Sequence, residues 1–223
     1  MSDNTASNVA IIMDGNARWA DLRRLPVLAG HREGAQALKR TVKHAVKHEI
    51  RELTVFAFST ENWSRPSDEV KGLMAMFAEL IHSETPELKE QGVRMVFIGR
   101  REGLSADLKR QMNWATTETA DRQRMILYVA FNYGGRAELI DAAKRFDGET
   151  EEEFSALLYA PEMSDPDLVI RTSGERRLSN YLLWQTAYSE LHFTDVLWPD
   201  FSEDDLVEAL DSYRGRGRRF GSR

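Results

Sequence analysis

Short apolar runs recur along the chain, and most are separated by enough sequence for a helix. They are VAIIM at 9–13, LTVFAF at 53–58, VRMVFI at 93–98, MILYVAF at 125–131 and DLVI at 167–170, with DVLW at 195–198 as a sixth candidate. Their length and their β-branched and aromatic content predict strands buried on both faces. Between them, Ala35, Leu38, Val42, Ala45 and Val46 follow helical spacing over 33–48, and Val70, Leu73, Met74, Phe77, Leu80 and Ile81 do so over 67–90. Ser67 is placed to cap the second of these helices, and Asp68 and Glu69 suit the positive end of its dipole. Pro86 is expected to kink or end it. Further helices are predicted over 104–120, 136–146 and 203–213, the last opened by a capping box between Ser202 and Asp205. Strand–helix alternation of this kind predicts an α/β fold, a single domain with a central, mainly parallel sheet of about six strands flanked by helices. The expected domain is 9–223, with a disordered leader at 1–8 and a tail at 214–223.

Composition narrows the classes. The chain has 223 residues, 42% hydrophobic and 30% charged, as expected of a globular domain. It contains no cysteine, which excludes disulfides, thiolate metal sites and cysteine nucleophiles. No apolar stretch approaches the roughly 18 residues of a spanning helix, and the polar start MSDNTASN is not a secretory signal. The net charge of −6 argues against nucleic acid as a partner, despite the basic end RGRGRRFGSR.

The predicted chemistry lies where the strands stop. In a parallel sheet, ligands bind beyond the carboxyl ends of the strands. VAIIM runs into DGNARW, LTVFAF into STENWSRP, MILYVAF into NYGGR and DLVI into RTSGERRLSN. Arg18, Arg65, Arg136, Arg171, Arg176 and Arg177 all fall in these segments. Ser59, Thr60, Asn62, Ser173 and Ser179 add neutral donors. Gly15, Gly134, Gly135 and Gly174 let backbone N–H groups approach a ligand. Such an edge on an acidic protein suggests a phosphate or diphosphate ligand. Asp14 in the same edge would repel a bare phosphate, so a hard cation between them, most simply Mg²⁺, is expected. Each residue also has a plainer reading. Asp14-Gly15-Asn16 is a common turn sequence, Trp19 and Trp63 suit a core, and His31 suits a structural role ahead of a helix. Neither a P-loop nor a Rossmann fingerprint is present, and Asp204-Asp205-Leu206-Val207-Glu208 reads as a helix start rather than as an aspartate-rich prenyl-chain motif.

Nearly the whole chain, from about Val9 to Gly221, resembles the cis-prenyltransferases, in particular the bacterial undecaprenyl diphosphate synthase family. The resemblance is carried by AIIMDGNARW, AGHREGA, FAFSTENWSRP, FNYGGR and DLVIRTSGERRLSNYLLWQTAYSELHFTDVLWPDF. It implies an enzyme that adds isopentenyl diphosphate units, with cis double bonds, to an allylic diphosphate, typically farnesyl diphosphate. The implied product is undecaprenyl diphosphate, the lipid carrier precursor for cell-wall synthesis. Asp14 corresponds to the aspartate that helps place Mg²⁺ and ionise the allylic diphosphate. Gly15, Asn16, Ala17, Arg18, Trp19, Val27 and His31 fall at the allylic-diphosphate cradle. Ser59, Thr60, Glu61, Asn62, Trp63 and Arg65 match a segment that closes over the substrates, and Asn62 matches a residue often named as the proton acceptor. Arg171, Arg177, Leu178 and Ser179 match the isopentenyl-diphosphate clamp. Glu190 matches a second metal-associated carboxylate near a homodimer interface, and Arg219-Phe220-Gly221 a tail that reaches the partner subunit. The resemblance implies a cytoplasmic protein in peripheral contact with the inner face of the plasma membrane.

Three departures from the family pattern bear on substrate choice, one of them a segment between Arg136 and Asp165 shorter than in many relatives. Ala17 replaces a common glycine, which is harmless where φ is negative, and Val27 replaces a common arginine. Val55, Ala57, Met74, Phe77, Leu80 and Ile81 are candidates for an apolar tunnel, in which a small residue at 57 leaves room for a longer chain. The alternatives are a short-chain or irregular cis-prenyl diphosphate synthase and a non-catalytic scaffold subunit.

Overall fold

The computed structural model describes residues 5–215; the tail motif Arg219-Phe220-Gly221 lies outside them. Six parallel strands form one sheet in the order β3-β4-β2-β1-β5-β6. They are β1 (Asn8–Ile12), β2 (Glu52–Ser59), β3 (Val93–Ile98), β4 (Met125–Tyr133), β5 (Leu168–Arg171) and β6 (Glu190–Phe193). The helices are α1 (Asn16–Leu22), α2 (Val27–Lys47), α3 (Ser67–Glu90), α4 (Ala106–Glu118), α5 (Gly135–Ala143), α6 (Glu151–Ser155) and α7 (Glu203–Arg214). Short 3₁₀ turns occupy Thr60–Ser64 and Trp198–Asp200.

Five of the six predicted strands form close to their expected limits. The sixth is ELHF rather than DVLW. Segment 195–198 turns instead: the Trp198 N–H donates to the Asp14 carbonyl at 3.0 Å, and Pro199 follows with no N–H to give a ladder. The last residues of the expected leader belong to the fold. β1 begins at Asn8, Ala6 is buried, and the Ser7 and Asn8 N–H groups donate to the Asp167 carboxylate at 2.9 and 3.0 Å.

Helix α2 starts six residues before the predicted 33, so His31 lies inside it. Ser67 is the first residue of α3 rather than its cap. That place is taken by Pro66, whose side chain makes no capping bond. Pro86 does not end α3, which continues to Glu90 because Thr85 and Leu88 on either side remain buried; packing outweighs the lost backbone bond. The Ser202–Asp205 capping box of α7 is present. Helix α1 was not predicted at all.

One sheet face packs Val9, Ile11, Leu53 and Val55 against Ala37 and Val42 of α2, Leu73 and Met76 of α3 and Leu206 and Leu210 of α7. The other face packs Ala10, Ile12, Tyr128 and Tyr133 against Ala160, Met163, Tyr181 and Leu182. Strand order reverses at β1, which has β2 on one side and the later β5 on the other. That switch point is where an open α/β sheet leaves a crevice.

The β2–β4 pairing carries two irregularities. Phe56 pairs with Ala130, Phe58 with Phe131 and Ser59 with Tyr133, leaving Ala57 extra on β2 and Asn132 extra on β4. An inserted residue redirects the side chains that follow it. Ala57 and Phe58 consequently both pack on the α2–α3 face.

Candidate functional site

The lip predicted from the strand ends is real, and its centre is an ion pair. Ile12 is level with Arg171 across the β1–β5 ladder. Two residues further on, Asp14 Oδ2 accepts from Arg171 Nη2 at 2.7 Å. The Arg171 side chain is 4% exposed and that of Asp14 36%. Arg171 Nη1 also donates to the Arg177 carbonyl and, at 2.7 Å, to Ser179 Oγ. Its Nε, like the neighbouring Ser173 Oγ, is buried without a partner among the described residues. The guanidinium is thus held by three acceptors, with its Nε–H still unused. The turn after β1 requires its glycine. Gly15 has φ 113°, and a Cβ there would stand 3.0 Å from Leu197 Cδ2 and 3.1 Å from Ser173 Cβ. Ala17 lies within α1 and is not among the residues with positive φ, so its replacement of glycine is unstrained.

Helix α1 carries the rest of the DGNARW segment. Arg18 Nη1 donates to the Ser173 carbonyl at 2.9 Å, and Nη2 reaches Glu175 at 3.4 Å. Glu175 also pairs with Arg177. These two arginines, on opposite sides of the lip, therefore share one carboxylate that sequence reading missed. Contacts with Arg177 and then Arg18 outweigh desolvation and hold the Glu175 carboxyl below its ordinary pKa. Trp19 serves the scaffold: its Nε1 donates to Asp200 at 2.7 Å, and Arg23 stacks over its ring at 4.1 Å. Val27 opens α2 and is exposed.

His31 sits between the lip and an apolar cavity. Burial first, and then the Arg65 charge, push its pKa down to about 4 against a smaller opposing pull from Glu69. The imidazole is therefore neutral near pH 7. Its Nε2 and Asn16 Oδ1 are buried without partners among the described residues, and both residues line the cavity. The cavity has a volume of about 140 Å³, smaller than most ligand sites, and its walls are almost entirely apolar. It runs between α2, α3 and the sheet, past Leu38, Val42, Ala57, Phe77, Leu80 and Ile81 to Leu88 and Met95. Of the six tunnel candidates, Val55 and Met74 do not line it.

On the other side of the lip, Asp14, Phe56, Ser59, Glu61, Asn62, Arg171, Ser179 and Asn180 line a second, polar pocket. Asn62 is partly committed, since its Oδ1 accepts the Ser59 N–H at 3.0 Å in a reciprocal capping box. Trp63 Nε1 donates to Asn132 Oδ1 at 2.7 Å, tying the segment to the extra residue of β4. Arg65 pairs with Glu69 at 3.1 Å. Leu178 packs against the core of the second sheet face.

Glu190 is the predicted site residue that does not join this group within one chain. It is level with Leu168 at the start of the strands, whereas Asp14 lies beyond their ends. The offset along the strands is on the order of 16 Å. No cluster of three or more His, Cys, Asp or Glu side chains able to hold a metal occurs among the described residues.

An arginine-anchored carboxylate, buried polar atoms without partners among the described residues and an adjoining apolar cavity thus meet at the carboxyl edge of an α/β sheet. Comparison with known proteins identifies the family. A family model described as "Putative undecaprenyl diphosphate synthase" matches residues 12–221. The chain is 48% identical to an isoprenyl transferase of Thermotoga maritima over 223 residues, covering 96% of each chain. It is also 48% identical to one of Bacillus subtilis, covering 96% of this chain and 86% of that one. Among solved structures, lavandulyl diphosphate synthase from Lavandula x intermedia, in complex with dimethylallyl diphosphate, superposes with a TM-score of 0.94. It is 35% identical, over 99% of this chain and 100% of that one. A probable undecaprenyl diphosphate synthase from Campylobacter jejuni gives 0.84 at 28% identity, over 97% and 99%. The chain belongs to the undecaprenyl diphosphate synthase family of cis-prenyltransferases, enzymes that transfer prenyl groups.

Proposed function

We propose that the protein condenses isopentenyl diphosphate with an allylic diphosphate, farnesyl diphosphate in the first instance, and repeats the addition to reach undecaprenyl diphosphate. The observation that carries this reading is the Asp14–Arg171 pair in a pocket that shares the Met13 wall with the apolar cavity. A prenyl chain would lie in the cavity, with its diphosphate among Gly15, Asn16, Arg18 and His31. Isopentenyl diphosphate would occupy the polar pocket, held by Arg171, Arg177 and Ser179.

Mg²⁺ fits the donor set in one particular way. This cation is usually held by one or two carboxylates together with substrate phosphates rather than by a protein cage. Asp14 offers such a carboxylate, with Oδ1 outside the Arg171 pair. Bound there, the metal would stabilise negative charge on the departing diphosphate. The chain's own groups act alongside it. Arg18 supplies a fixed positive charge where the allylic C–O bond breaks. The cavity wall keeps water from the resulting allylic cation. Arg171 and Arg177 hold the second substrate so that its terminal alkene carbon forms the new C–C bond, after which a proton leaves the adjoining methylene. Asn62, a neutral carboxamide with its oxygen already accepting from Ser59, orients that substrate; a diphosphate oxygen takes the proton.

Homodimerisation and peripheral membrane contact belong to the same proposal. The edge position of β6 and the 72% exposed Tyr188 beside it support the first. For the second, no helix among the described residues is long and apolar enough to cross a membrane, so contact would be at the surface. A short-chain or irregular product is the second reading, favoured by the likeness to lavandulyl diphosphate synthase and by Val27.

The test is incubation with farnesyl diphosphate, labelled isopentenyl diphosphate and Mg²⁺ in detergent, with Asp14→Ala as control. A metal-dependent ladder ending near eleven isoprene units is expected. One short product would support the second reading, and no product from any allylic starter would overturn both.

A further inference from the structure

Segment 178–182 follows the arginine loop and takes an unusual path. Ser179, Asn180 and Leu182 all have positive φ, at 49°, 65° and 43°. Left-handed backbone at residues other than glycine is costly and persists where surrounding contacts fix it, often beside functional sites. Here the contacts converge on Asn180. Its carbonyl accepts the Gly135 N–H at 2.7 Å, and its Oδ1 accepts the Arg136 N–H at 2.8 Å. These two bonds fix it to the first turn of α5. Its Nδ2 then donates to Glu61 Oε1 at 2.8 Å, across 119 positions of sequence. Gly134 closes the joint. A Cβ there would stand 2.6 Å from Thr60 Oγ1 and 2.8 Å from Asn180 Nδ2. Burial raises the Glu61 carboxyl, but hydrogen bonds from Asn180 and then from its own turn outweigh it, so the acceptor stays ionised.

The residues on either side of this joint are those assigned to chemistry. Ser179 accepts from Arg171, and Asn62 follows Glu61; all of them line the pocket beside Asp14. The 59–65 segment has no strand partner beyond Ser59, and its attachments are few: Trp63 to Asn132, Arg65 to Glu69, and Glu61 to Asn180. Of these, the last alone joins it to the arginine loop.

We propose that Asn180 is a positioning residue: it latches the 59–65 segment to the arginine loop through Glu61 and so sets Asn62 in register with Arg171 and Ser179. The assignment of this pocket to isopentenyl diphosphate rests on the function proposed above; the latch itself does not. Asn180 touches no reacting atom. Its effect passes through the two segments it joins.

The test uses the full chain and a charge relay between the partners. Asn180→Asp keeps the acceptor for the Arg136 N–H but sets a second carboxylate against Glu61. The expected results are faster hydrogen exchange at 59–65 without substrate, and a KM for isopentenyl diphosphate raised about tenfold, the factor one lost hydrogen bond is worth. The same substitution in a Glu61→Gln background restores a donor–acceptor pair with the roles exchanged. There, Asn180→Asp is expected to change exchange and KM by less than threefold, whatever Glu61→Gln does by itself. Equal effects in the two backgrounds would overturn the latch, because a merely structural asparagine would not depend on residue 61. If Asn180→Asp fails to fold, Glu61→Ala removes the acceptor and leaves the α5 bonds intact. Unchanged exchange at 59–65 in that variant overturns the latch as well. Hydrogen exchange needs no turnover. A wild-type protein inactive on every allylic starter, but with the expected exchange pattern, would sink the functional reading and leave the latch standing.

Discussion

The Asp14 carboxylate lies 2.7 Å from the Arg171 guanidinium, so the residues that follow β1 and close β5 meet across 157 positions of sequence. The pair is unequal, since the arginine is buried and the aspartate is partly open. Removing Asp14 leaves a buried cation with only neutral acceptors. We expect Asp14→Ala to cost about 1–3 kcal/mol of stability. In a chain of this size each kcal/mol lowers Tm by roughly 2–4 °C. Arg171→Met added to Asp14→Ala should recover part of that loss in a thermal melt. Activity should fall by a factor of about 10²–10³ with Asp14→Ala and should not return in the double variant.

His31 makes stability depend on pH. Its folded pKa of about 4 lies below the ordinary 6.5, so between these values the unfolded chain binds more protons than the folded one. Stability contributed by the neutral imidazole is complete above pH 6.5 and is lost as pH falls toward 4. The full difference is on the order of 3 kcal/mol. Urea denaturation at a series of pH values should show this slope in the wild type and a flatter one in His31→Gln. Equal slopes would show that His31 does not carry it.

Gly15 cannot be replaced without strain. Its φ of 113° suits glycine alone, and a Cβ would press on Leu197 and Ser173. Gly15→Ala is expected to cost at least about 1–2 kcal/mol. It should also lower turnover, because the same turn places Asp14. A melt and an activity assay on one preparation check both.

Ala57 lines the cavity. Ala57→Leu is expected to shorten the products and to leave the first condensation with farnesyl diphosphate within about threefold of wild type, since a side chain in the cavity obstructs the growing chain more than its head group. Chromatographic sizing of labelled products decides it. An unchanged length distribution would remove the cavity as the product tunnel.

These predictions use residues that sequence reading found and others that it did not. Strands buried on both faces announced themselves as apolar runs, and the polar segments after them do gather at one edge of the parallel sheet. The edge strand ELHF is half-buried throughout and carries no continuous apolar signal, so the more apolar DVLW was chosen in its place. Helix α1 was hidden because its 7 residues, NARWADL, are too few to display a helical period. Arg171 was legible as a strand-end arginine, but its pairing with Asp14 depends on strand order, which no local pattern encodes. Glu175, Asn180 and Asn132 were missed for the same reason. Each acts by joining segments that are distant in sequence. A serine and an asparagine in succession after an arginine loop were the visible hint of a turn at 179–180, but not of the partner it would find in Glu61. Glu190 differs in kind: its motif was clear, while the ladder register sets it at the far end of the strand from Asp14 within one chain.

The two extra residues in the β2–β4 ladder behave like a frameshift and its suppressor. Ala57 throws the pairing out of step by one, and Asn132 brings it back before Ser59 meets Tyr133. Between these points the strands are out of phase, and both residues put the mismatch to use: Ala57 at the cavity and Asn132 as the anchor of Trp63. Deleting Ala57 alone would invert the β2 side chains downstream of it, the start of the 59–65 segment included, and deleting Asn132 alone would do the same to the end of β4 at Tyr133. The width of the apolar cavity and the hold on the 59–65 segment are therefore inherited together. A variant that regularises one strand can keep the enzyme's active edge only if it regularises the other, and it would then lose both the cavity-facing alanine and the Trp63 anchor in a single step.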